Sequence, residues 1–168
     1  MASFPICRFP DDTILRGKAK KVSRINASIE WIVASMIETM RKANGIGLAA
    51  PQIGVPLRIV TLQMPGEDPL VLINPEVIER AGEQEVTEGC LSVPGYYGTI
   101  KRPAELVVKG KNEHGMMIRI EASGLMAEAL DHEIDHLDGR LYIDHIDRED
   151  SLYKIRSVGQ DSIEDMGR

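Results

Sequence analysis

The stretch GLMAEALDHEIDHL, residues Gly124 to Leu137, decides how this chain is read. Leu125, Met126, Ala129, Leu130 and Leu137 surround His132-Glu133-Ile134-Asp135-His136, and Gly139 follows as a stop, so an apolar helix is predicted over 124–137. At 3.6 residues per turn, two imidazoles four positions apart project from one face at roughly 6 Å and can reach one ion. Glu133, next to the first imidazole, can approach an activated water without ligating, the arrangement of HExxH hydrolases. The plain alternative is a solvated face on which His and acidic residues simply meet water. The apolar setting argues against it, because polar groups buried there are costly unless something pairs with them.

Composition sets the wider frame. A chain of 168 residues, 43% hydrophobic and 27% charged, fits one soluble domain with a real core. The net charge of −6, with no sustained Lys/Arg run, argues against a nucleic-acid footprint; the basic residues of 16–21 read as a solvated face. No segment approaches the roughly 18 apolar residues that span a bilayer, and the N-terminus lacks a signal-like core, so no membrane role is expected. Two cysteines, Cys7 and Cys90, are too few for a disulfide framework and point to a reducing compartment, although a Cys7–Cys90 pairing is open on counting alone. Cys7 reads as an incidental thiol of the N-terminal arm.

Working outward, residues 3–22 carry Pro5, Pro10 and Gly17 and read as an irregular arm. Ile29, Ile32, Val33, Met36, Ile37 and Met40 recur at helical spacing over 28–42, with Asn26 or Ser28 as cap and Gly45 beyond the end. Strands are predicted over 57–63, 70–74, 76–80, 84–87, 105–109 and 117–123, and a third helix over 148–158 before a frayed polar tail. The fold class is α+β: short antiparallel sheets packed around a central helix bearing HEIDH, with an N-terminal amphipathic helix and a C-terminal helix.

Two histidines need a third protein ligand, since a catalytic site generally uses three and leaves a position open. A protease of the HExxHxxGxxH type would require His at position 142, which is Tyr142. Glu149 and Glu164 lie in a polar C-terminal stretch, and His145, past the stop at Gly139, reads as a surface residue. Cys90, within Glu88-Gly89-Cys90-Leu91-Ser92, is the better candidate, because a thiolate binds divalent ions strongly. A buried structural cysteine fits the same motif equally well.

Three segments together resemble peptide deformylases: Gly45-Ile46-Gly47-Leu48-Ala49-Ala50-Pro51-Gln52, the 88–92 stretch, and His132 to His136, in matching order and separation. The Phe9-Pro10 and Leu15-Arg16 opening matches as well, so the resemblance spans residues 5–147. It implies that Cys90, His132 and His136 hold one divalent ion, that Glu133 is the acid/base, and that Gln52 and the Leu91 N–H bind the oxyanion. Fe²⁺ is the implied ion, with Zn²⁺, Ni²⁺ or Co²⁺ as substitutes. Gly45, Ile46 and Gly47 would offer an edge for an extended peptide, the two glycines leaving room for a formyl hydrogen.

Glu88 and Gly89 are expected among the substrate-binding residues, and Glu128 and Ala129, one helical turn before the histidine pair, would border the first side chain's pocket. Asp131 stands where the family usually carries Gln, and an acidic Glu128 predicts a normal formyl-methionine preference with a loosened rim. Glu88 is expected to pair with Arg102 and support the ligands. The implied substrates are N-formyl-methionyl nascent peptides, with the 148–168 tail a candidate for transient ribosome contact. A monomer or weak dimer is expected, in the bacterial cytoplasm or, after loss of a presequence, an organelle. Two alternatives stay open: a peptidase using the same ion, and a domain that binds metal only for stability.

Overall fold

The computed structural model describes residues 2–155. Its elements in chain order are α1 (Ala27–Lys42), β1 (Gly47–Ala49), β2 (Ile59–Leu62), β3 (Leu70–Ala81), β4 (Gln84–Cys90), β5 (Val93–Arg102), β6 (Glu105–Lys111), β7 (Met117–Ser123), α2 (Gly124–Leu137) and β8 (Leu152–Lys154), with short 3-10 turns between some of them. All strand pairings among them are antiparallel. They form a five-stranded sheet in the order β1-β2-β3-β6-β7 and a three-stranded sheet in the order β4-β5-β8.

The layering follows from two apolar runs. β2 and the start of β3 do not alternate apolar with polar, so both of their faces need cover. Val60, Leu62 and Leu72 pack with Leu130, Ile134 and Leu137 of α2. Ile59, Val71 and Ile73 pack with Val33, Met36 and Met40 of α1. The larger sheet therefore lies between the two helices. A third apolar cluster, Val93, Ile100, Leu141 and Tyr142, joins the smaller sheet to the segment after α2.

Local chemistry sets the helix ends. The Asn26 side chain accepts the backbone N–H groups of Ser28 and Ile29 at 3.1 and 3.2 Å, which makes Asn26 the cap of α1. α2 spans the predicted residues and stops at Gly139, which takes φ +74°. The N-terminal arm packs here: Ala19 N–H donates to Leu137 O at 2.8 Å, and Arg16 pairs with Asp144 at 2.6 Å.

Several expectations differ from the structure. The predicted strands 70–74 and 76–80 are one strand, β3, whose register breaks between Ile73 and Glu76. There Asn74 adopts φ 54° and clamps Val22 through both its side-chain oxygen and nitrogen. Strands β1 and β5 were not expected; Pro94, Gly95 and Gly98 suppress the local signal in β5, which long-range pairing with β4 overrides. Gly98 packs tightly, since a Cβ there would meet Ile146 and Tyr142 at 3.1 and 3.2 Å.

The expected helix over 148–158 is not formed in the described residues. Glu149–Ser151 is a 3-10 turn, and β8 pairs with Tyr96, Tyr97 and Gly98 of β5. The outer edge of β5 offers unpaired backbone groups, and the Tyr97 and Tyr153 rings stack at 5.0 Å. Residues 156–158 of that expectation lie outside the described ones. Cys7 and Cys90 are both free thiols. Among the described residues no helix is long and apolar enough to cross a membrane.

A Cβ at Gly139 would stand 2.5 Å from the backbone oxygen of Arg16, at a φ that side chains rarely adopt. Gly139→Ala should therefore destabilise the protein by about 1–3 kcal/mol, read as a lowered urea midpoint. An unchanged midpoint would contradict this packing of arm against helix end.

Candidate metal centre

Residues 129–137 of α2 are all buried, so HEIDH sits inside the protein. The His132 and His136 Nε2 atoms are 3.3 Å apart. Cys90, the last residue of β4, brings its Sγ to 3.3 Å from His136 Nε2. All three donor atoms lie within 4.8 Å of one another. Donors held about 2.0–2.3 Å from one tetrahedral ion stand about 3.3–3.8 Å apart, so this spacing suits a single cation.

The protonation pattern supports the same fit. Burial pushes the Glu88 carboxyl up, but hydrogen bonds from His132 and Arg102 outweigh it and hold it at about 2. Glu88 is therefore ionised and can only accept, so the 2.7 Å contact to His132 Nδ1 puts the imidazole proton on Nδ1. Nε2 is then the His132 ring atom left on the side of Cys90 and His136. Burial works against charge on both rings; hydrogen bonds with Cys90 and Glu88 nevertheless raise His132 well above its ordinary value, whereas His136 is driven well below by burial and by His132. A thiol and two imidazoles at this spacing suit a shared divalent cation better than a shared proton.

Behind the donors lies a buried ionic network. The Arg102 side chain is fully buried. Its guanidinium donates to Glu88 Oε1 and Oε2 at 2.6 and 3.3 Å, to Asp131 Oδ2 at 3.0 Å and to Asp135 Oδ2 at 2.6 Å. The expected Glu88–Arg102 pair is thus present, and Asp131, the departure from the family pattern, is part of the same network, with Arg80 a further partner at 3.3 Å. Burial raises the Asp135 carboxyl, but hydrogen bonds from His145 and Arg102 hold it at about 2. His145, expected at the surface, keeps 31% of its side chain exposed, yet its Nε2 lies 2.7 Å from Asp135 Oδ2. The chain turns back after Gly139 through Tyr142–His145 and returns the ring to α2.

Glu133 follows His132 directly on the buried stretch of α2. Its Oε2 is buried with no hydrogen-bond partner among the described residues, and burial pushes the carboxyl up to about 7. A Cβ on Gly47 would lie 2.5 Å from Glu133 Oε1, and one on Gly45 would lie 2.9 Å from Leu91 Cδ1. Gly47 thus has no room for a side chain, because β1 passes directly over α2. Gln52 is held at both ends: its Oε1 accepts the Ala49 N–H at 2.9 Å, and its Nε2 donates to Ser92 Oγ at 3.1 Å and points at Cys90 Sγ at 3.7 Å. Ser92 was missed by sequence reasoning, having no signal beyond its place after Cys90.

A cleft of about 760 Å³ opens over these groups. Gly45, Ile46, Gly47, Gln52, Glu88, Gly89, Cys90, Leu91, Glu128, Ala129, His132 and Glu133, all expected at the site, line it, whereas His136 lies behind, fully buried. Leu125 and Arg8 also border it and were not anticipated. The Glu128 carboxyl is pushed up to about 7 by burial and by neighbouring Glu88. A smaller groove of about 370 Å³, bordered by Glu79, Glu105, Arg119 and Glu121, involves none of the donor atoms.

Arg102→Met should leave three buried carboxylates without their main cation and destabilise the metal-free protein near neutral pH by about 3–5 kcal/mol. The pH dependence has a defined sign. Glu88 and Asp135, held at about 2 against ordinary values of 4.5 and 3.8, contribute stability that is complete above those ordinary values and drains as pH falls toward about 2. Without Arg102 the crowded carboxylates resist ionisation, so acidification from neutrality should cost the variant less stability than the native protein. Denaturant midpoints across pH check this, and parallel curves would contradict it. Separately, Gly47→Ala should displace Glu133 and lower kcat by about 10²-fold in a steady-state assay, with the fold retained.

The comparisons with known proteins agree with this geometry. A family model described as polypeptide deformylase matches residues 3–151. A peptide deformylase of Dehalococcoides mccartyi is 50% identical over 156 residues, covering 92% of this chain and 93% of the relative. One of Desulforudis audaxviator is 44% identical over 155 residues, covering 92% and 98%. Among solved structures, a peptide deformylase from Legionella pneumophila superposes with a TM-score of 0.84 at 41% identity, covering 86% of each chain. One from Synechococcus elongatus in complex with actinonin gives 0.84 at 38% identity, covering 90% of this chain and 84% of that one. With a match of this extent and its motifs gathered around one cleft, the chain belongs to the peptide deformylase family.

Proposed function

We propose that this chain is a single-domain metallohydrolase that removes the formyl group from N-formyl-methionyl peptides and releases formate. The observation that carries the reading is the convergence of Cys90, His132 and His136 donor atoms within 4.8 Å, next to a cleft that Glu133 also lines, its buried Oε2 having no hydrogen-bond partner among the described residues. Cys90, His132 and His136 are the ligands of one divalent ion. A bound divalent cation supplies Lewis acidity, lowering the pKa of a water and polarising the formyl oxygen.

The chain's own groups do the rest. Glu133 takes the water's proton as the water oxygen attacks the formyl carbon, then delivers it to the departing peptide nitrogen as the C–N bond breaks. Formate and a free amino terminus result. Charge developing on the formyl oxygen is met by the Gln52 Nε2–H, whose direction is fixed by the Ala49 and Ser92 contacts, and by the Leu91 backbone N–H. The segment Gly45, Ile46 and Gly47 and the opposite Gly89 receive the extended peptide backbone. Glu88, Glu128, Ala129 and Leu125 border the space for the first side chain, giving a formyl-methionine preference with a looser rim.

Fe²⁺ is the native ion in this reading, with Zn²⁺, Ni²⁺ and Co²⁺ as substitutes, since a Cys/His/His set discriminates weakly among them. Nascent peptides at the ribosome are the substrates, met by a monomer or weak dimer in the bacterial cytoplasm or a derived organelle. Actinonin, bound in the Synechococcus and Ehrlichia relatives, should compete for the same cleft.

The test is formate release from formyl-Met-Ala-Ser by anaerobically purified protein of measured metal content. Stoichiometric metal, formate release, no cleavage of internal peptide bonds and inhibition by actinonin are expected. Glu133→Gln should lower kcat by about 10²–10⁴-fold while leaving metal content unchanged. A bound cation favours the charged carboxylate, so the acidic limb of kcat/KM should fall below the value of about 7 that burial sets for Glu133. Internal peptide cleavage without formate would overturn the reading in favour of a peptidase, and full activity of the Gln variant would overturn the role of Glu133.

A further inference from the structure

His145 takes no part in the chemistry above, yet it completes a continuous chain of contacts to a donor residue. We infer that His145 is a positioning residue for His132, acting through Asp135, Arg102 and Glu88; this rests on the reading of His132 as a ligand. Asp135 Oδ2 already accepts from the Arg102 guanidinium, so His145 Nε2 stands as a second donor to the same oxygen at 2.7 Å. Arg102 Nη1 donates to the same oxygen at 2.6 Å. The 3.4 Å approach of Arg102 Nη1 to His145 Nε2 is therefore not a hydrogen bond but the meeting of two donors on one acceptor.

Two donors on Oδ2 fix the rotation of the Asp135 carboxylate. Among the described residues, its other oxygen has a longer contact, 3.6 Å, to the half-exposed Arg140. Arg102 Nη1 is shared between Asp135 and Asp131, while its Nε and Nη2 grip Glu88, and Glu88 Oε1 holds His132 Nδ1 at 2.7 Å. Removing the His145 donor leaves Asp135 short of a partner and free to turn. Its hold on Nη1 changes, the guanidinium shifts among three carboxylates, and the grip on Glu88 loosens. His132 then loses part of the restraint that aims its Nε2 at Cys90 and His136. Outer contacts of this kind commonly tune metal affinity by about 10–100-fold, and a residue three contacts further out belongs at the lower end.

The experiment compares full-length wild type with His145→Phe, His145→Ala and His145→Gln. Each protein is stripped of metal, its zinc affinity is measured by competition with a chromophoric chelator, and the visible d–d spectrum of its Co²⁺ form is recorded. The Phe and Ala variants should bind zinc about tenfold more weakly with a shifted Co²⁺ spectrum. The Gln variant, whose amide N–H can reach Asp135, should recover affinity to within about threefold of wild type and regain the native spectrum. Zinc affinity of the Phe or Ala variant within twofold of wild type would overturn the inference. So would a Gln variant as weak as the others, because the effect would then be one of packing. Should the Phe variant fail to fold, the Ala and Gln pair decides by the same comparison. A wild type that binds no zinc would overturn the ligand reading as well, whereas the other contrary results overturn only the role of His145.

Discussion

The guanidinium of Arg102, wholly buried and touching Glu88, Asp131 and Asp135, is the interaction on which the interior of this protein depends. Asp131 and Asp135 sit one helical turn apart on α2, and two buried carboxylates at that spacing repel unless a cation lies between them. Arg102 arrives from the far end of β5, and Glu88 from β4 across the hairpin, so the network ties the three-stranded sheet to the central helix. That tie brings Cys90, two residues beyond Glu88, against two histidines more than 40 positions away. A charge cluster costly to bury thus sets the position of the donors.

Two surfaces then close on the same point. The larger sheet, covered by α1 and α2 on opposite faces, carries β1 over α2 so closely that Gly47 has no room for a side chain beside Glu133. The N-terminal arm holds the neighbouring turns from outside: Cys7 N–H donates to Gln52 O at 2.7 Å, and Phe9 N–H to Ser92 O at 2.9 Å. Those two contacts pin the residues whose side chains meet in the Gln52–Ser92 hydrogen bond. Groups drawn from separate segments thereby line one cleft, and the buried Oε2 of Glu133 has no hydrogen-bond partner among the described residues.

What could be read from the chain follows the range of the interactions involved. α1 and α2 were legible nearly to the residue, because helical periodicity, the Asn26 cap and the Gly139 stop are local signals. The histidine pair was legible because HEIDH encodes its own spacing, whereas the 88–92 motif alone left Cys90 open between ligand and structural cysteine until the resemblance selected it. β5 and β8 were hidden: Pro94, Gly95 and Gly98 weaken one, and the other takes its form from an edge it borrows. The network was half legible. Glu88 with Arg102 could be guessed, and the acidic pair Asp131 and Asp135 was itself a sign that a cation was needed. Nothing local distinguished His145 from a surface histidine, since its contact depends on the fold-back after Gly139.

The central claim is that a thiolate and two imidazoles surround one cation, and X-ray absorption at the metal edge tests it most directly. The account predicts a shell containing one sulfur at ~2.3 Å and two imidazole nitrogens at ~2.0–2.1 Å in the stoichiometrically loaded protein. A shell of nitrogen and oxygen alone, with no sulfur scatterer, would contradict it.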